Sequence, residues 1–546
     1  MREAARSTAQ RWPLAGLPAA SALPVAGRLL LAAVPLGFLA LLLLAPSLRL
    51  LTQPVWSDAG WAAWFSPWTD DYLRWRMLWS GLQAGLTCAL VLTLGVPVAW
   101  VLARLEFPGR GLLLRALMLP FVVPTLVAAM GVLALLGPRG VLQALLPFSL
   151  EQTPWLLIYG NVFFNLCILV RAATEGLEQV SASRLAAART LGATPWRAFW
   201  RIEWPAILPW LMSALCLVFL YCFSGFGLAL LLGGPHYATV EVEVYMLVAH
   251  ELQLAQAGVL AGWVFLTTGV CALVYSTLEL RLAAPVRADR IARQHPRGLR
   301  QWAAVLACIA VLALLCGAPV AAILWRAVAA GPHAWAVLLA PEAVQALWNT
   351  LRFSACALVL ATLLGLCHAL AAQRWVWLRA LAFLPFVVSP VLVAFGLLLL
   401  YPSWTASAPL LVGAYALLAY PFVAKSLAAG LDGMPAHYLA AARTLGASPW
   451  RAFWRITWPV LQPALRRGMA FAAATAVGEF AVTLFLSRPE WATLTTLVYE
   501  QLSQPGASRY DAALVLACAL MALALAVFVL LEWPWGEAPG GEGVHA

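Results

Sequence analysis

The chemically reactive side chains of this sequence are few, and their spacing matches no motif for catalysis or metal binding. There is no GxxxxGKS/T phosphate-binding loop, no HExxH helix and no recognisable Ser/His/Asp set. The ten cysteines, among them Cys88, Cys167 and Cys222, lie inside apolar runs without a CxxC pair, as packing residues do. His368 also lies in an apolar run, which is more typical of a packed side chain than of a ligand. We therefore expect no catalytic residue, no metal site and no cofactor bound by this chain.

One carboxylate is unusual because it lies in a stretch apolar enough to cross a membrane. Glu479 falls within residues 461–486, and a carboxylate at that depth costs about 2.5–3.5 kcal/mol or more and usually has a function. Phe480, Phe226 and Tyr221 supply aromatic faces of the kind that attract cations. We predict a substrate pathway at these four residues. The alternative is a carboxylate near a helix end, hydrogen-bonded to backbone or paired with an arginine.

A second feature is a polar loop that occurs twice, 254 residues apart. Leu185–Pro205 reads LAAARTLGATPWRAFWRIEWP, and Leu439–Pro459 reads LAAARTLGASPWRAFWRITWP. Two positions differ: Thr194 against Ser448, and Glu203 against Thr457. The apolar sequence around these duplicated loops has diverged far more, so the same constraint acts on both loops. A pair of identical partner subunits would impose it.

The residues of the duplicated loop predict a rigid docking element. Ala186–Leu191 favours a helix, which Gly192 would end in the left-handed conformation. Thr194 can cap a second helix that has Pro195 at its first position, and Trp204-Pro205 would then start the next span. The second helix would carry Trp196, Phe199 and Trp200 on one face and Arg197 and Arg201 on another. The alternative is an interfacial helix anchored in lipid by its tryptophans.

The composition identifies the elements that position these residues. Hydrophobic residues make up 63% of the 546 residues and charged residues only 10%, and the mean hydropathy is +0.85. A soluble domain has about 25% charged residues, and the long apolar runs lack the alternation of a barrel. We predict an all-α polytopic membrane protein with about twelve transmembrane helices. They lie near residues 29–51, 77–103, 112–137, 155–173, 206–232, 255–279, 303–325, 346–371, 380–401, 409–427, 461–486 and 512–531.

The loop charges predict the topology. Arginines concentrate in alternate short loops and account for the net charge of +11, a pattern of cytoplasmic loops rather than of nucleic-acid binding. The intervening loops are acidic, with Asp58, Asp70 and Asp71 in one and Glu241, Glu243 and Glu251 in another. Both termini are therefore expected in the cytoplasm. The predicted units are a leader (1–28), a first half (29–279) with a loop at 174–205, a basic linker (280–301), a second half (302–532) with a loop at 428–459, and a cytoplasmic tail (533–546).

The duplicated loop resembles the EAA motif of binding-protein-dependent ABC importer permeases. The matching residues are Ala187, Ala188, Gly192, Ile202 and Pro205, and then Ala441, Ala442, Gly446, Ile456 and Pro459. The resemblance implies a type I importer permease whose two loops couple to two copies of a cytoplasmic ATPase, where ATP is bound. The expected coupling residues are Ala187, Ala188, Arg189, Gly192, Pro195 and Arg197, and Ala441, Ala442, Arg443, Gly446, Pro449 and Arg451. The acidic first position of the motif is Ala186 or Ala440 here, so shape and arginines would carry more of the contact.

The fusion of two six-helix halves resembles the thiamine and ferric-iron permeases of that family. FPGR at 107–110, YGNVFFNL at 159–166 and SRYDAALVLA at 508–517 are most similar to thiamine permeases. The resemblance implies import of thiamine or its phosphates from the periplasm across the bacterial inner membrane, by alternating access, from a periplasmic binding protein. Ferric iron is the alternative cargo. A proton-driven secondary transporter would instead show several intramembrane carboxylates or broken helices, and a membrane enzyme would need a catalytic cluster.

Overall fold

The computed structural model describes residues 25–56, 60–143, 148–151, 153–282, 291–373, 375–405, 407–486 and 488–532. These residues form helices and connecting turns, and the one extended contact among them is a single bridge between Leu105 and Gln294. The predicted all-α fold is confirmed. Most of the predicted leader, the centre of the linker and the predicted tail lie outside the described residues.

The first half contains ten helices, α1 to α10. In chain order they are Leu29–Thr52, Asp71–Arg104, Arg110–Val122, Thr125–Leu136, Pro154–Glu178, Ala182–Thr190, Pro195–Phe223, Gly227–Leu232, Val240–Ala249 and Leu254–Leu282. Short helical turns at Gln53–Trp56, Gly60–Phe65 and Ser66–Thr69 connect α1 to α2.

The second half contains eleven helices, α11 to α21. They are Leu299–Ala329, Gly331–Trp335, Pro341–Ala372, Trp377–Val387, Pro390–Leu400, Ala408–Asp432, Ala436–Thr444, residues 449–477, Ala481–Leu486, Leu494–Ser503 and Ala507–Glu532. From the start of α5 to the end of α9, every helix boundary recurs 254 residues later. The sequence repeat is therefore also a repeat of the fold.

Two of the predicted spans are sharply bent. α3 and α4 meet at 107°, and α14 and α15 meet at 90°, whereas residues 112–137 and 380–401 were each predicted as one helix. Val123 precedes Pro124 and Ser389 precedes Pro390, and both preceding residues are extended, as the proline ring requires. Among the described residues, nine further helices are long and apolar enough to span a membrane. α18 is not counted with them, since it carries Arg466 and Arg467.

Two other predicted spans, 206–232 and 461–486, end earlier than expected. α7 ends at Phe223 and α18 ends at Val477, and the chain then turns into the short helices α8 and α19. Helices α9 and α20 follow, and the sequence analysis did not predict them. α9 was missed because its alternation of valine with glutamate resembles a loop or strand more than a buried helix.

The first span of each half packs against the other half. α1 packs on α13 and α15, and α11 packs on α4. The approach is close in both places: a Cβ atom built on Gly131 would lie 2.8 Å from the carbonyl oxygen of Pro319, and one on Gly396 would lie 2.9 Å from that of Pro46. The two halves are therefore interlocked by an exchange of their first helices.

Four π-helical turns occur among the described residues, in two repeat-related pairs: Ala40–Leu44 with Ala313–Gly317, and Phe199–Glu203 with Phe453–Thr457. Each turn ends two residues before a proline, and the residue between them donates its N–H five residues back. The wider turn makes room for a proline ring that would clash in an α-helix. The prolines therefore occur inside long helices without breaking them.

Candidate functional site

In both duplicated loops the first helix ends at a left-handed glycine, as predicted from the sequence. Gly192 has φ +80° and Gly446 has φ +74°. The N–H of Ala193 donates to the carbonyl of Ala188 at 3.0 Å, and the N–H of Ala447 donates to that of Ala442 at 2.9 Å. This is the Schellman arrangement, which satisfies carbonyls that the helix end leaves free. A side chain at either glycine would strain the backbone.

The second helix of each loop begins at its predicted cap. The Thr194 hydroxyl accepts a hydrogen bond from the N–H of Arg197 at 3.4 Å, and the Ser448 hydroxyl accepts one from Arg451 at 3.3 Å. The expectation that Trp204-Pro205 starts a separate span is wrong, because α7 continues without a break from Pro195 to Phe223. The π turn accommodates Pro205, with the N–H of Trp204 donating to Phe199. The helix that begins at Pro195 and the predicted span are therefore one continuous helix.

The predicted coupling residues divide into exposed and packed positions. Ala187, Arg189, Gly192, Pro195 and Arg197 are exposed, and so are Ala441, Arg443, Gly446 and Arg451. Ala188 is half-buried, while Ala442 is buried against Met434, Leu439 and Ala452. Ala188 and Ala442 therefore hold the loop together more than they offer contact surface.

The most exposed apolar residues of the loops were not singled out from the sequence. Leu191 is 88% exposed and Leu445 is 86% exposed, each directly before the left-handed glycine. Trp196 and Trp450 are also exposed, and their rings contact the next tryptophan, Trp200 or Trp454, at 5.5 Å in each loop. Both loops therefore present the same leucine and tryptophan pair. The sequence signal for this exposed leucine is its position as a large apolar residue directly before the glycine that ends the helix.

Beneath the loops, the two halves differ. Glu203 is buried and accepts hydrogen bonds from Arg104, with Nη2 at 2.7 Å and Nε at 3.2 Å. Thr457 holds the same position in the second loop; it is buried, and its hydroxyl has no hydrogen-bond partner among the described residues. The first loop is thus tied to the end of α2 by a buried ion pair.

The linker reinforces the first half on this side of the molecule. The N–H of Glu106 donates to the carbonyl of Gln294, and the N–H of Gln294 donates to that of Arg104, both at 3.0 Å. Arg293 binds Glu178 at the end of α5 at 2.8 Å, and this carboxylate raises the pKa of Arg293. In the second half, Asp432 at the end of α16 binds Arg379 through two contacts of 2.8 Å.

The predicted pathway residues Phe226 and Phe480 meet at the opposite end of the long helices. They are repeat mates, and their rings stack with centroids 5.9 Å apart and planes 22° apart. Tyr245 contacts Phe226 at 5.4 Å, and its repeat mate Tyr499 contacts Phe480 at 5.3 Å. The pseudo-twofold axis therefore passes through this central aromatic pair. The 29 residues of α7 separate it from the first loop by about 40 Å.

The other two pathway residues are placed differently. Glu479 is buried beside Phe480, and its Oε1 accepts a hydrogen bond from the N–H of Val482 at 3.0 Å. It caps the start of α19, so its present contacts match the alternative of a carboxylate bonded to backbone near a helix end. Gly225 is its repeat mate. Tyr221 is 38% exposed, whereas Phe226 and Phe480 are buried, so Tyr221 is not brought into the aromatic pair.

Two carboxylates assigned to an external acidic loop are in fact buried. Glu243 binds Arg76 Nε at 3.2 Å and accepts a hydrogen bond from the Tyr72 hydroxyl at 2.9 Å. Glu241 accepts a hydrogen bond from the Ser389 hydroxyl at 2.7 Å. These partners lie far away in the sequence, so loop composition alone could not reveal them.

Comparisons with known proteins agree with this architecture. Residues 95–283 and 361–533 match the family described as binding-protein-dependent transport system inner membrane component. The thiamine transport system permease protein of Salmonella typhimurium is 28% identical, over 88% of this chain and 92% of its own length. That of Haemophilus influenzae is 28% identical over 86% and 90%.

Two further matches cover part of the chain. The molybdenum transport system permease protein of Azotobacter vinelandii is 32% identical over 33% of this chain and 82% of its own length. The crystal structure of a bacterial ABC transporter involved in alginate import aligns one chain to 46% of this protein, with 16% identity and a TM-score of 0.38.

Proposed function

Because this chain belongs to the family of binding-protein-dependent transport system inner membrane components, we propose that it imports thiamine or a thiamine phosphate. The protein is a multi-pass membrane permease subunit of an ABC importer and not an enzyme; ATP is used by a separate subunit. The single observation that carries the cargo proposal is the match to thiamine permeases over nearly their whole length. Ferric iron remains the alternative cargo.

The central aromatic pair supports an organic cation as cargo. Thiamine carries a positively charged thiazolium ring, and stacked aromatic rings attract such a cation through their faces. Phe226 and Phe480 come from different halves, so a cargo could reach both rings only when the halves separate at this end. Glu479 beside Phe480 adds a carboxyl group.

The broken helices bear on the alternative of a proton-driven transporter. Broken helices and several buried carboxylates were expected for such a transporter, and both features are present here. That criterion is therefore wrong for this protein. Family membership and the duplicated loop, which a proton-driven transporter has no need for, favour the ATP-driven mechanism.

The two loops are the proposed seats of two identical ATPase subunits. Each exposes the same leucine, tryptophan and arginines, and each continues without a break into a long helix that ends near the central aromatic pair. Closure of the ATPases would move α7 and α18 together and separate Phe226 from Phe480. In this proposal the loops and both termini are cytoplasmic, the protein lies in the bacterial inner membrane, and a periplasmic binding protein delivers the cargo at the aromatic end. The proposed units are the leader (1–28), the first half (29–279), the linker (280–301), the second half (302–532) and the tail (533–546).

The cargo is tested by uptake of labelled thiamine in a strain that lacks this chain. We expect uptake to be lost and to return when the chain is supplied. Unchanged thiamine uptake together with lost ferric-iron uptake would overturn the assignment.

Docking is tested with the double substitution Gly192→Pro and Gly446→Pro. Proline cannot adopt the positive φ of these positions, so the loops should lose their shape while the protein still inserts in the membrane. We expect the ATPase to be absent when the permease is purified. Gly234→Pro is the matched control, since Gly234 has φ +58° outside the loops and should leave the ATPase bound. Copurification of the ATPase with the double variant would count against the docking role.

A further inference from the structure

Glu241 lies at the junction between the two halves. Its side chain is 0% exposed, and its Oε2 accepts a hydrogen bond from the hydroxyl of Ser389 at 2.7 Å. Ser389 belongs to the other half, at the break between α14 and α15, where it also caps α15 by accepting from Leu392 at 3.2 Å. Among the described residues, no donor reaches Oε1 of Glu241.

Glu241 has no basic side chain beside it among the described residues. In the part of the chain that the structure describes, no arginine, lysine or histidine nitrogen lies within ion-pair distance of it. Glu243 lies two residues later in α9 and is also buried, but it binds Arg76. Likewise, the buried Glu203 binds Arg104. A buried carboxylate is costly when it has neither a counter-ion nor a full set of hydrogen bonds. A buried carboxyl group without such partners is a candidate for a binding role.

The position of Glu241 relates it to the central aromatic pair. Tyr245 follows one helical turn later on the same face of α9, at a spacing of about 5–6 Å between Cβ atoms. The Tyr245 ring contacts Phe226 at 5.4 Å and Phe485 at 5.3 Å. A carboxylate beside several aromatic rings is the combination that recognises a flat organic cation.

The repeat shows that this arrangement exists in one copy only. The repeat mate of Glu241 is Thr495, which donates a hydrogen bond to the carbonyl of Glu479 at 2.9 Å. Upstream of α5 the repeat has a different offset: LPFVV occurs at residues 119–123 and 384–388, and is followed by Pro124 and Ser389. The equivalent of Ser389 is therefore Pro124, which has no hydroxyl and lies against Gly478. Among the described residues, the pairing of a glutamate with a serine hydroxyl of the other half therefore occurs on one side of the junction and not on the other, which suits a single asymmetric cargo.

We propose that Glu241 binds the positive charge of the cargo when the halves separate, and that Ser389 occupies the same carboxylate when they close. Separation removes the hydroxyl, because Ser389 is on the other half, and leaves the carboxylate free beside the aromatic rings. On closing, Ser389 competes with the cargo for Glu241 and favours its release. The inference rests on the proposed function, which supplies an organic cation as cargo.

The test uses the complete complex of permease, ATPase and binding protein in proteoliposomes. Uptake of thiamine is compared with uptake of a neutral analogue in which carbon replaces the thiazolium nitrogen. Glu241→Gln keeps the size of the side chain and its bond to Ser389 but removes the charge. We expect it to reduce the preference for thiamine over the analogue about tenfold or more, since a close pair of opposite charges at a binding interface contributes at least that factor. The binding protein is the same in every arm, so a changed preference arises in the permease.

Two further variants keep the test decisive. Glu241→Asp retains the charge and Ser389→Ala retains the carboxylate, so both should keep the preference for the cation even if their rates fall. An undiminished preference in Glu241→Gln, or a lost preference in Glu241→Asp, would overturn the assignment of Glu241 alone. Failure of the wild-type complex to import thiamine would instead overturn the proposed function, and this assignment with it.

Discussion

The two duplicated loops are alike on the surface that they expose and unlike in what lies beneath. Leu191 and Leu445 differ by only 2% in exposure, and the two glycines differ by 6° in φ. Beneath them, Glu203 forms a buried ion pair with Arg104, whereas Thr457 has a hydroxyl without a partner among the described residues. The comparison teaches that the exposed surface of the repeat is the same in both halves while the internal support differs, which is the pattern expected if one kind of partner binds both loops.

The largest expected effect comes from breaking the internal support of the first loop. Arg104→Met leaves the carboxylate of Glu203 buried without a counter-ion, which should cost about 3–5 kcal/mol. The measurement is the thermal unfolding of the purified permease in lipid nanodiscs, together with protease cleavage at the first loop.

Two companion variants sharpen that experiment. Arg104→Met combined with Glu203→Thr introduces the residue of the second loop and should recover most of the lost stability. Thr457→Val in the second half should not lower stability, because it removes a buried hydroxyl that has no partner among the described residues. If the single Arg104 variant were as stable as the double variant, the ion pair would not be the support of the first loop.

The next largest effect is expected from a matched substitution in each loop, which tests whether the exposed surfaces of the two duplicated loops are equivalent. Gly192→Ala and Gly446→Ala each place a side chain at positive φ, which should cost about 1 kcal/mol, or about fivefold in affinity for the ATPase. A Cβ at either position meets no other atom within 4 Å, so the cost is conformational and should be equal in both loops. Titration of the ATPase against each variant measures it. Gly269→Ala, inside α10 with open space around it, is the neutral control; unequal losses in the two loops would contradict their equivalence.

The smallest effect concerns the exposed ion pairs at the ends of α5 and α16. Arg293→Ala and Arg379→Ala remove contacts to Glu178 and Asp432, and each should cost less than about 1 kcal/mol because the groups are partly exposed. Salt screens such pairs, so the difference from wild type should shrink at high ionic strength. Melting temperatures at low and high salt measure this. A loss as large as that of Arg104→Met would show that burial does not distinguish the two kinds of support.

The parts of this protein that the sequence predicted are those decided by neighbouring residues. The left-handed Gly192 and the cap at Thr194 follow from local backbone chemistry, and the repeat makes the same prediction twice. The bends at Pro124 and Pro390 were not predicted, because hydropathy depends on composition and carries no information on the direction of the chain. The π turn before Pro205 was missed for a related reason, since proline usually starts a helix, and only the widened turn lets α7 continue through it.

Contacts between distant residues account for the remaining differences. In the sequence, Glu241 and Glu243 have the composition of an acidic loop. In the structure they are bound by Ser389 and Arg76, and Ser389 is 148 residues from Glu241 in the chain. Likewise, nothing in residues 29–52 indicates that this helix packs on the second half. These features depend on which helices become neighbours, and a single sequence does not specify that choice locally.

The exchange of first helices has a consequence for biosynthesis. α1 enters the membrane first, but α13 and α15, against which it packs, begin only at Pro341 and Pro390. At typical rates of translation, the roughly 300 residues in between take about 15–60 s to make. During that time the face of α1 around Pro46 lacks the helix against which it packs in the complete protein. A ribosome that stops after the first half therefore releases a product in which this face of α1 lacks its partner helices, although α1 still packs on α10.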